Sequence, residues 1–148
     1  MSAMKSRQLP FTSPSSRAET MSKLIMVVDD DSQTRTLISI LLQRRGFRVV
    51  EAADAFEALN LLESHDPALA IVDVMMPGMD GFELCQQIRQ RAHTAATPVI
   101  IFSAMRDDIG AQKSFEVGAD AFLSKISLHH ELLVQVRTLL GMSMTDIT

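Results

Sequence analysis

Five short apolar runs alternate with longer segments of helical period, and this alternation constrains the fold more than any other feature of the sequence. Apolar runs of strand length separated by amphipathic helices are typical of a parallel sheet that helices cover on both faces. Four of the five runs are too apolar for a strand that has one face exposed to solvent. We therefore predict strands at residues 24–28 (LIMVV), 48–52 (RVVEA), 69–72 (LAIV), 99–102 (VIIF) and 121–124 (AFLS).

The segments between these runs carry helix start and stop signals. The first helix begins near Ser32 and ends at Gly46, and the second has Asp54 and Glu57 at capping-box spacing and stops at Asp66. Five strand–helix units are too few for an eight-stranded barrel. The prediction is a doubly wound, five-stranded parallel sheet of order 2-1-3-4-5 with five helices, the flavodoxin-like class. The other helices are predicted at residues 81–91, 107–117 and 128–140.

The length and composition fit one domain with a short tail at each end. With 148 residues and 47% hydrophobic content, the chain can bury a single core. Residues 1–22 are rich in Ser, Thr and Pro and show no apolar period, so we predict a disordered N-terminal tail. The folded domain is predicted at residues 23–141, and residues 142–148 are predicted to be a C-terminal tail.

The composition also argues against several classes of protein. A net charge of −4 provides no basic excess for direct binding to nucleic acid, and no apolar run reaches the ~18 residues of a membrane-spanning helix. The N-terminus lacks the apolar block of a signal peptide. The single cysteine, Cys85, excludes an internal disulfide and is interpreted as a packed thiol. We expect a cytoplasmic protein with no membrane or direct nucleic-acid partner.

Three carboxylates follow two strands that the predicted sheet order makes neighbours. Asp29 and Asp30 come directly after the first strand, and Asp73 comes directly after the third. In open parallel sheets, ligands bind beyond the carboxyl ends of the strands at the point where the winding reverses. Two carboxylates ~4 Å apart repel by roughly 4 kcal/mol at an effective dielectric of about 20, so this cluster favours a bound cation. All-oxygen ligands indicate Mg²⁺, which often bridges to a phosphoryl group.

The ends of the last two strands carry side chains that suit a phosphoryl group. Ser103 follows the fourth strand, and Lys125 follows the fifth. A hydroxyl can donate a hydrogen bond to a phosphoryl oxygen, and an ammonium group supplies a compact positive charge. The sequence therefore predicts a combined metal and phosphate site.

Taken in order, these motifs resemble the receiver domain of bacterial two-component response regulators. The resemblance extends over residues 23–141, and the chain is similar to stand-alone, chemotaxis-regulator-like receivers. It rests on Asp29-Asp30, on DVMMPGMDG beginning at Asp73, on Ser103-Ala104 and on Lys125.

The resemblance implies a role for each of these residues. Asp73 would be the phosphoacceptor, which takes a phosphoryl group from a phosphohistidine and forms an acyl phosphate. The implied ligands of the cofactor Mg²⁺ are Asp29, Asp30, Asp73 and the main-chain carbonyl of Met75. The implied phosphoryl-binding and switch residues are Ser103, Lys125 and Phe122, although Phe122 also fits ordinary core packing.

The resemblance also implies partners. A sensor histidine kinase or a phosphotransfer protein would donate the phosphoryl group. The face formed by the fourth helix, fifth strand and fifth helix would then bind a downstream protein or a second copy of the chain. Such a protein catalyses only its own phosphoryl transfer and dephosphorylation, so we do not expect an enzyme that turns over a separate substrate.

The chain departs from the family directly after Lys125. Receiver domains usually have proline there, often after a cis peptide bond, whereas this chain has Ile126. A cis bond before a residue other than proline costs ~2.5–4 kcal/mol. We expect either a trans bond with a shifted loop or a strained cis bond.

Two alternative functions follow from these residues. A phosphorylation-independent interaction module with the receiver fold is favoured by Ile126, but the retained carboxylates, Ser103 and Lys125 oppose it. A Mg²⁺-dependent phosphohydrolase with an aspartyl nucleophile often needs a second carboxylate two residues after the nucleophile. Met75 stands at that position, which opposes this function.

Overall fold

A computed structural model describes residues 23–104, 108–125 and 128–142 of the chain. Strands and helices alternate along these residues from end to end. The elements are β1 (Leu24–Val28), α1 (Ser32–Arg44), β2 (Arg48–Ala52), α2 (Ala55–Leu61), β3 (Leu69–Asp73), α3 (Gly81–Gln90), β4 (Val99–Ser103), α4 (Asp108–Glu116), β5 (Ala121–Ser124) and α5 (Leu128–Leu139).

The five strands form one parallel sheet with the order β2-β1-β3-β4-β5, which confirms the predicted fold class. β2 lies at one edge and is the least buried strand, in agreement with the mixed sequence RVVEA. β1, β3 and β4 are interior strands and are almost completely buried. The winding reverses between β1 and β3, so a crevice lies beyond the carboxyl ends of these two strands.

The sheet divides the core into two clusters because successive side chains of a strand point to opposite faces. In β1, Ile25 and Val27 pack with α1 and α5, whereas Met26 and Val28 pack with α2 and α3. All four side chains are fully buried. This burial on both faces explains why the sequence of β1 is continuously apolar. Polar side chains can therefore be placed only at the ends of such a strand.

Two strands are one residue longer than the sequence predicts. Asp73 is the last residue of β3 and Ser103 is the last residue of β4, whereas both were expected just after their strands. Asp73 is in register with Phe102, and the amide of Val74 donates to the carbonyl of Phe102 over 3.2 Å. Backbone pairing therefore continues past the point where the side chains become polar.

The second helix is shorter than predicted. α2 ends at Leu61, whereas the stop was expected at Asp66. The amides of Ser64 and His65 both donate to the carbonyl of Leu61, over 3.1 and 2.9 Å, which closes the helix in a turn before the chain reaches Pro67. α1 ends at Arg44, two residues before the predicted end at Gly46, whereas α3, α4 and α5 end within one residue of the prediction. Residue 107, the predicted start of α4, lies outside the described residues.

Acidic N-caps set the starts of the helices that follow β2 and β3. Asp54 accepts a hydrogen bond from the amide of Glu57 over 2.8 Å, while the Glu57 carboxylate reaches back to the amide of Ala53 over 2.7 Å. Asp80 and Glu83 form a complete capping box at the start of α3, with bonds of 2.9 and 3.4 Å. The capping box was not recognised in the sequence, although its spacing is present there.

The thiol of Cys85 packs in the core between α3 and the end of α4, as the sequence analysis expected. It is fully buried, and its Sγ lies 3.5 Å from the carbonyl oxygen of Val117. Burial raises the pKa of this thiol to about 11, so it stays protonated and unreactive at neutral pH.

The predicted tails fall almost entirely on residues that the structure does not describe, namely 1–22 and 143–148. Met142, which the sequence analysis assigned to the C-terminal tail, is buried and packs with the α1–α5 cluster. None of the helices in the described ranges is long and apolar enough to cross a membrane.

Gly81 lets the first turn of α3 lie directly against the end of β3. A Cβ atom at this position would come within 2.2 Å of the main-chain oxygen of Asp73 and 2.9 Å of the Cα of Val74. Backbone atoms cannot move aside as a flexible side chain can. The position of Asp73 therefore depends on the absence of a side chain at residue 81.

We predict that Gly81→Ala lowers the free energy of unfolding by ~1–3 kcal/mol and displaces the backbone around Asp73, because the added methyl group overpacks the junction. Urea unfolding measures the first effect, and the amide NMR shift of Val74 measures the second. Gly141→Ala is the control for adding a methyl group without overpacking, because its Cβ would meet nothing within 4 Å. It carries only the strain of a positive φ. A Gly81→Ala variant as stable as wild type, with an unshifted Val74 amide, would contradict this prediction.

Candidate functional site

The carboxyl edge of the sheet brings the predicted carboxylates together. Asp29 follows β1 and Asp73 ends β3, and their side chains are 0% and 2% exposed, whereas Asp30 is exposed. One oxygen from each of the three carboxylates lies within 4.8 Å of the others. This cluster has the composition and position that the sequence predicted.

The chain leaves β1 through a turn that fixes one oxygen of Asp29. The amide of Asp31 donates to Oδ1 of Asp29 over 2.9 Å, and the amide of Asp29 donates to the carbonyl of Ala52 over 3.1 Å. The remaining oxygen, Oδ2, is buried and faces the other carboxylates across the crevice.

Asp31 caps α1 and so takes no part in the cluster. Its carboxylate accepts from the amide of Gln33 over 3.2 Å and from the hydroxyl of Thr34 over 2.7 Å. These hydrogen bonds, chiefly the one from Thr34, lower the pKa of Asp31.

Lys125 reaches the two buried carboxylates from the end of β5. Its Nζ atom lies 3.4 Å from Oδ2 of Asp29 and 3.3 Å from Oδ1 of Asp73. It also lies 5.1 Å from the ring centroid of Phe102, on the neighbouring strand. One ammonium group therefore faces two buried negative charges, which leaves the site with a net negative charge.

The electrostatics of the crevice act most strongly on Asp73. Burial, followed by repulsion from Asp29, raises the pKa of Asp73 from 3.8 to about 7, although Lys125 opposes the shift. A carboxyl group with this pKa is poorly stabilised as an anion. A further cation would favour its charged form.

The donor set fits a magnesium ion. Asp29, Asp30 and Asp73 supply three hard oxygen ligands, and Mg²⁺ prefers carboxylate oxygens and retained waters over nitrogen or sulfur. Within the described part of the chain, Oδ2 of Asp29 and Oδ1 of Asp73 are buried and accept no hydrogen bond, and Lys125 is the cation beside them. Buried carboxylate oxygens that face one another in this way are suited to a metal ion.

An open depression adjoins the carboxylates. Its volume is about 410 Å³, and Asp30 and Met75 line it. Met75 follows β3 by two residues and its side chain is 63% exposed. The role of its main-chain carbonyl as a metal ligand stays a prediction. The other lining residues are Val74, Met76, Pro77 and Asp80.

Ser103 and Phe122 lie on the neighbouring strands β4 and β5. Ser103 is fully buried at the end of β4, one residue beyond the partner of Asp73 in the sheet register. Phe122 lies on β5 opposite Ile101 and packs, partly buried, against the α2–α3 cluster. This packing alone explains why residue 122 is apolar. The role of Phe122 as a switch residue therefore stays a prediction. Ile126 and its peptide bond lie outside the described residues.

Sequence analysis missed Arg35, which contacts the end of β1. Its Nη1 atom donates to the main-chain carbonyl of Asp29 over 2.6 Å, and its Nε atom donates to Glu51 over 3.1 Å. A signal was present, because a cation in the first turn of a helix is opposed by the helix dipole. Arg35 also lies four residues after the last of three consecutive aspartates, and this spacing points to a local partner.

The comparison with protein families agrees with this geometry. A family model described as the response regulator receiver domain matches residues 25–137. This match includes every residue that we assigned to the site.

Solved structures share the fold. A putative response regulator from Chloroflexus aurantiacus is 32% identical, with a TM-score of 0.77, and the match covers 80% of this chain and 98% of that one. The chemotaxis protein CheY4 of Vibrio cholerae is 30% identical, with a TM-score of 0.75, over 79% of this chain and 98% of that one.

A curated relative is longer than this chain. The transcriptional regulatory protein AfsQ1 of Streptomyces coelicolor is 37% identical over 116 residues, which make up 78% of this chain and 50% of that protein. The chain thus spans about half the length of this relative. With the family match, the shared fold and the carboxylate cluster taken together, the chain belongs to the response regulator receiver domain family of two-component systems.

Proposed function

We propose that this chain is the phosphoacceptor receiver of a two-component system, in which Asp73 takes a phosphoryl group from a phosphohistidine of a sensor kinase or a phosphotransfer protein. The observation that carries the proposal is the placement of Asp73. Its carboxylate is buried beside Asp29 and 3.3 Å from the ammonium group of Lys125. Lys125 supplies a positive charge for the negative oxygens of a phosphoryl group bonded to Asp73.

The proposed reaction is a transfer between two side chains. A carboxylate oxygen of Asp73 attacks the phosphorus atom, a new O–P bond forms, and the N–P bond to the donor imidazole breaks with its electron pair on nitrogen. Lys125 neutralises charge on the phosphoryl oxygens, and Ser103 donates a hydrogen bond to one of them. When bound at Asp29, Asp30 and Asp73, Mg²⁺ would supply further charge neutralisation. The chain would catalyse only its own modification and its reversal.

The proposed output is a change in the face formed by α4, β5 and α5. Ile109 and Phe115 of α4 are 74% and 56% exposed, so this helix carries apolar side chains that a protein partner would cover. Phe122 lies on β5, which pairs with the strand that ends at Ser103, and the proposal is that Phe122 responds to movement of Ser103. The bound partner would be a downstream protein or a second copy of the chain, and the proposal includes no direct contact with nucleic acid or membrane.

Beryllofluoride, a phosphoryl analogue, tests this proposal. With Mg²⁺ it should shift the amide NMR signals of Asp73, Ser103 and Phe122 in wild type, because the analogue binds the carboxylate and draws Ser103 towards it. Shifts should extend to the described part of α5. Asp73→Asn keeps the size of the side chain but loses the bonding oxygen, so its spectrum should not change.

The controls separate this function from its alternative. Beryllofluoride in EDTA should leave the wild-type spectrum unchanged. If wild type is folded and binds Mg²⁺ but does not respond to beryllofluoride, the phosphoacceptor function is wrong. That result would favour the phosphorylation-independent interaction module.

We also predict that Asp73 destabilises the metal-free protein increasingly as the pH rises. The pKa of Asp73 is raised from 3.8 to about 7 by burial and by Asp29, so between these values the folded state binds more protons than the unfolded state. The contribution of Asp73 to the free energy of unfolding therefore falls as the pH increases through this interval. Asp73→Asn should become more stable than wild type, with a difference that grows by at most ~1.4 kcal/mol per pH unit.

Urea unfolding in EDTA at several pH values measures this difference. Subtracting the free energy of wild type from that of the variant at each pH cancels the titration of carboxylates that do not interact with Asp73, so the difference reports Asp73 and its interaction with Asp29. A difference that stays constant between pH 4 and pH 7, about the range of the shift, would contradict the prediction.

A further inference from the structure

Arg35 connects the turn after β1 to the neighbouring strand β2. It is the fourth residue of α1, and its side chain is 17% exposed. Its guanidinium donates through Nη1 to the main-chain carbonyl of Asp29 over 2.6 Å and through Nε to the carboxylate of Glu51 over 3.1 Å. A planar guanidinium can hold two such acceptors in fixed directions, which an ammonium group cannot.

The carbonyl that accepts from Arg35 belongs to the peptide unit between Asp29 and Asp30. A peptide unit is planar, so fixing the carbonyl oxygen of Asp29 also fixes the orientation of the amide and the Cα of Asp30. Asp29 is then held by its amide to Ala52, by its carbonyl to Arg35 and by its Oδ1 to the amide of Asp31. Oδ2 is the atom left to face the site.

From these contacts we propose that Arg35 is a positioning residue for the metal site, and that Glu51 holds Arg35 in place. Arg35 orders the carboxylates of Asp29 and Asp30 before the cation arrives, so the cation does not have to supply the free energy of ordering them. Partners of metal ligands commonly change metal affinity by 10- to 100-fold when they are removed. The inference rests on the proposed function, since it assumes that these carboxylates bind Mg²⁺.

The sign of the effect distinguishes positioning from simple electrostatics. Arg35 is a cation near a cationic ligand, so through-space repulsion alone predicts tighter Mg²⁺ binding when Arg35 is neutralised. Positioning predicts weaker binding. A merely structural role predicts a lower stability with an unchanged affinity.

The test measures the Mg²⁺ dissociation constant by amide NMR titration and by calorimetry in wild type, Arg35→Gln and Arg35→Lys. Arg35→Gln should weaken binding roughly tenfold. Arg35→Lys keeps the charge but contacts only one of the two acceptors, so it should also weaken binding, by about threefold. Arg44→Gln is the matched control, because it removes the same charge from the far end of the same helix, and it should change the affinity less than twofold.

A readout in the absence of metal completes the test. The amide of Asp31, which donates to Asp29, should exchange its hydrogen about tenfold faster in Arg35→Gln than in wild type in EDTA, because the turn is less ordered. If Arg35→Gln does not fold, Glu51→Gln serves in its place. That variant leaves Arg35 present with a weaker partner and should weaken Mg²⁺ binding by about threefold.

The outcomes separate the two proposals. If wild type binds Mg²⁺ and the folded Arg35 variants bind it equally well or more tightly, the positioning role is wrong and the proposed function is unaffected. If wild type itself binds no Mg²⁺, both the proposed function and this inference are wrong.

Discussion

Two buried carboxylates that face a single ammonium group are the feature on which the rest of the site depends. Asp29 and Asp73 both lie within 3.4 Å of Nζ of Lys125, and almost no solvent reaches them. At an effective dielectric of about 20, like charges ~4 Å apart repel by roughly 4 kcal/mol, and Lys125 can offset only part of this for two partners. The pKa of Asp73 is raised by its burial first and then by this repulsion from Asp29. A second cation bound among the carboxylates would offset this excess of negative charge.

The fold is suited to hold these charges close because a parallel sheet brings the ends of its strands to one edge. The ends of β1, β3 and β5 deliver the charged groups of the site there, and the chain between these strands supplies the restraints. Gly81 allows α3 to lie against the Asp73 backbone, and Arg35 holds the backbone of Asp29 from the other side. The free energy that opposes the repulsion comes largely from the two apolar clusters on the faces of the sheet. Burial of the apolar core thus offsets the repulsion between the two carboxylates and holds them at the site.

Local patterns in the sequence were sufficient for the strand order and for the convergence of Asp29, Asp30, Asp73 and Lys125. Both follow from the alternation of apolar runs with helices and from polar residues at the strand ends. The errors were also local. The prediction ended β3 where the side chains become polar, although backbone pairing continues through Asp73. It also extended α2 towards Pro67, although backbone turns end this helix at Leu61.

Contacts between distant segments could not be predicted. Arg89 of α3 donates to the carbonyl of Gly118 and to the carboxylate of Asp120, both over 2.9 Å, across separations of 29 and 31 residues. Arg35 reaches Glu51 across 16 residues. No short motif encodes either contact, because each depends on how two elements lie against each other in space. Only Arg35 left a trace in the sequence, as a cation in a first helical turn.

Direct phosphorylation by phosphoramidate, a small molecule with the same kind of N–P bond as phosphohistidine, is the most direct test of the central claim. Intact mass spectrometry should show the addition of one phosphoryl group to wild type in Mg²⁺, with peptide mapping to Asp73, and no addition in EDTA or in Asp73→Asn. An unmodified wild-type protein that is folded and saturated with Mg²⁺, or an equal modification of Asp73→Asn, would contradict the assignment of Asp73 as the phosphoacceptor.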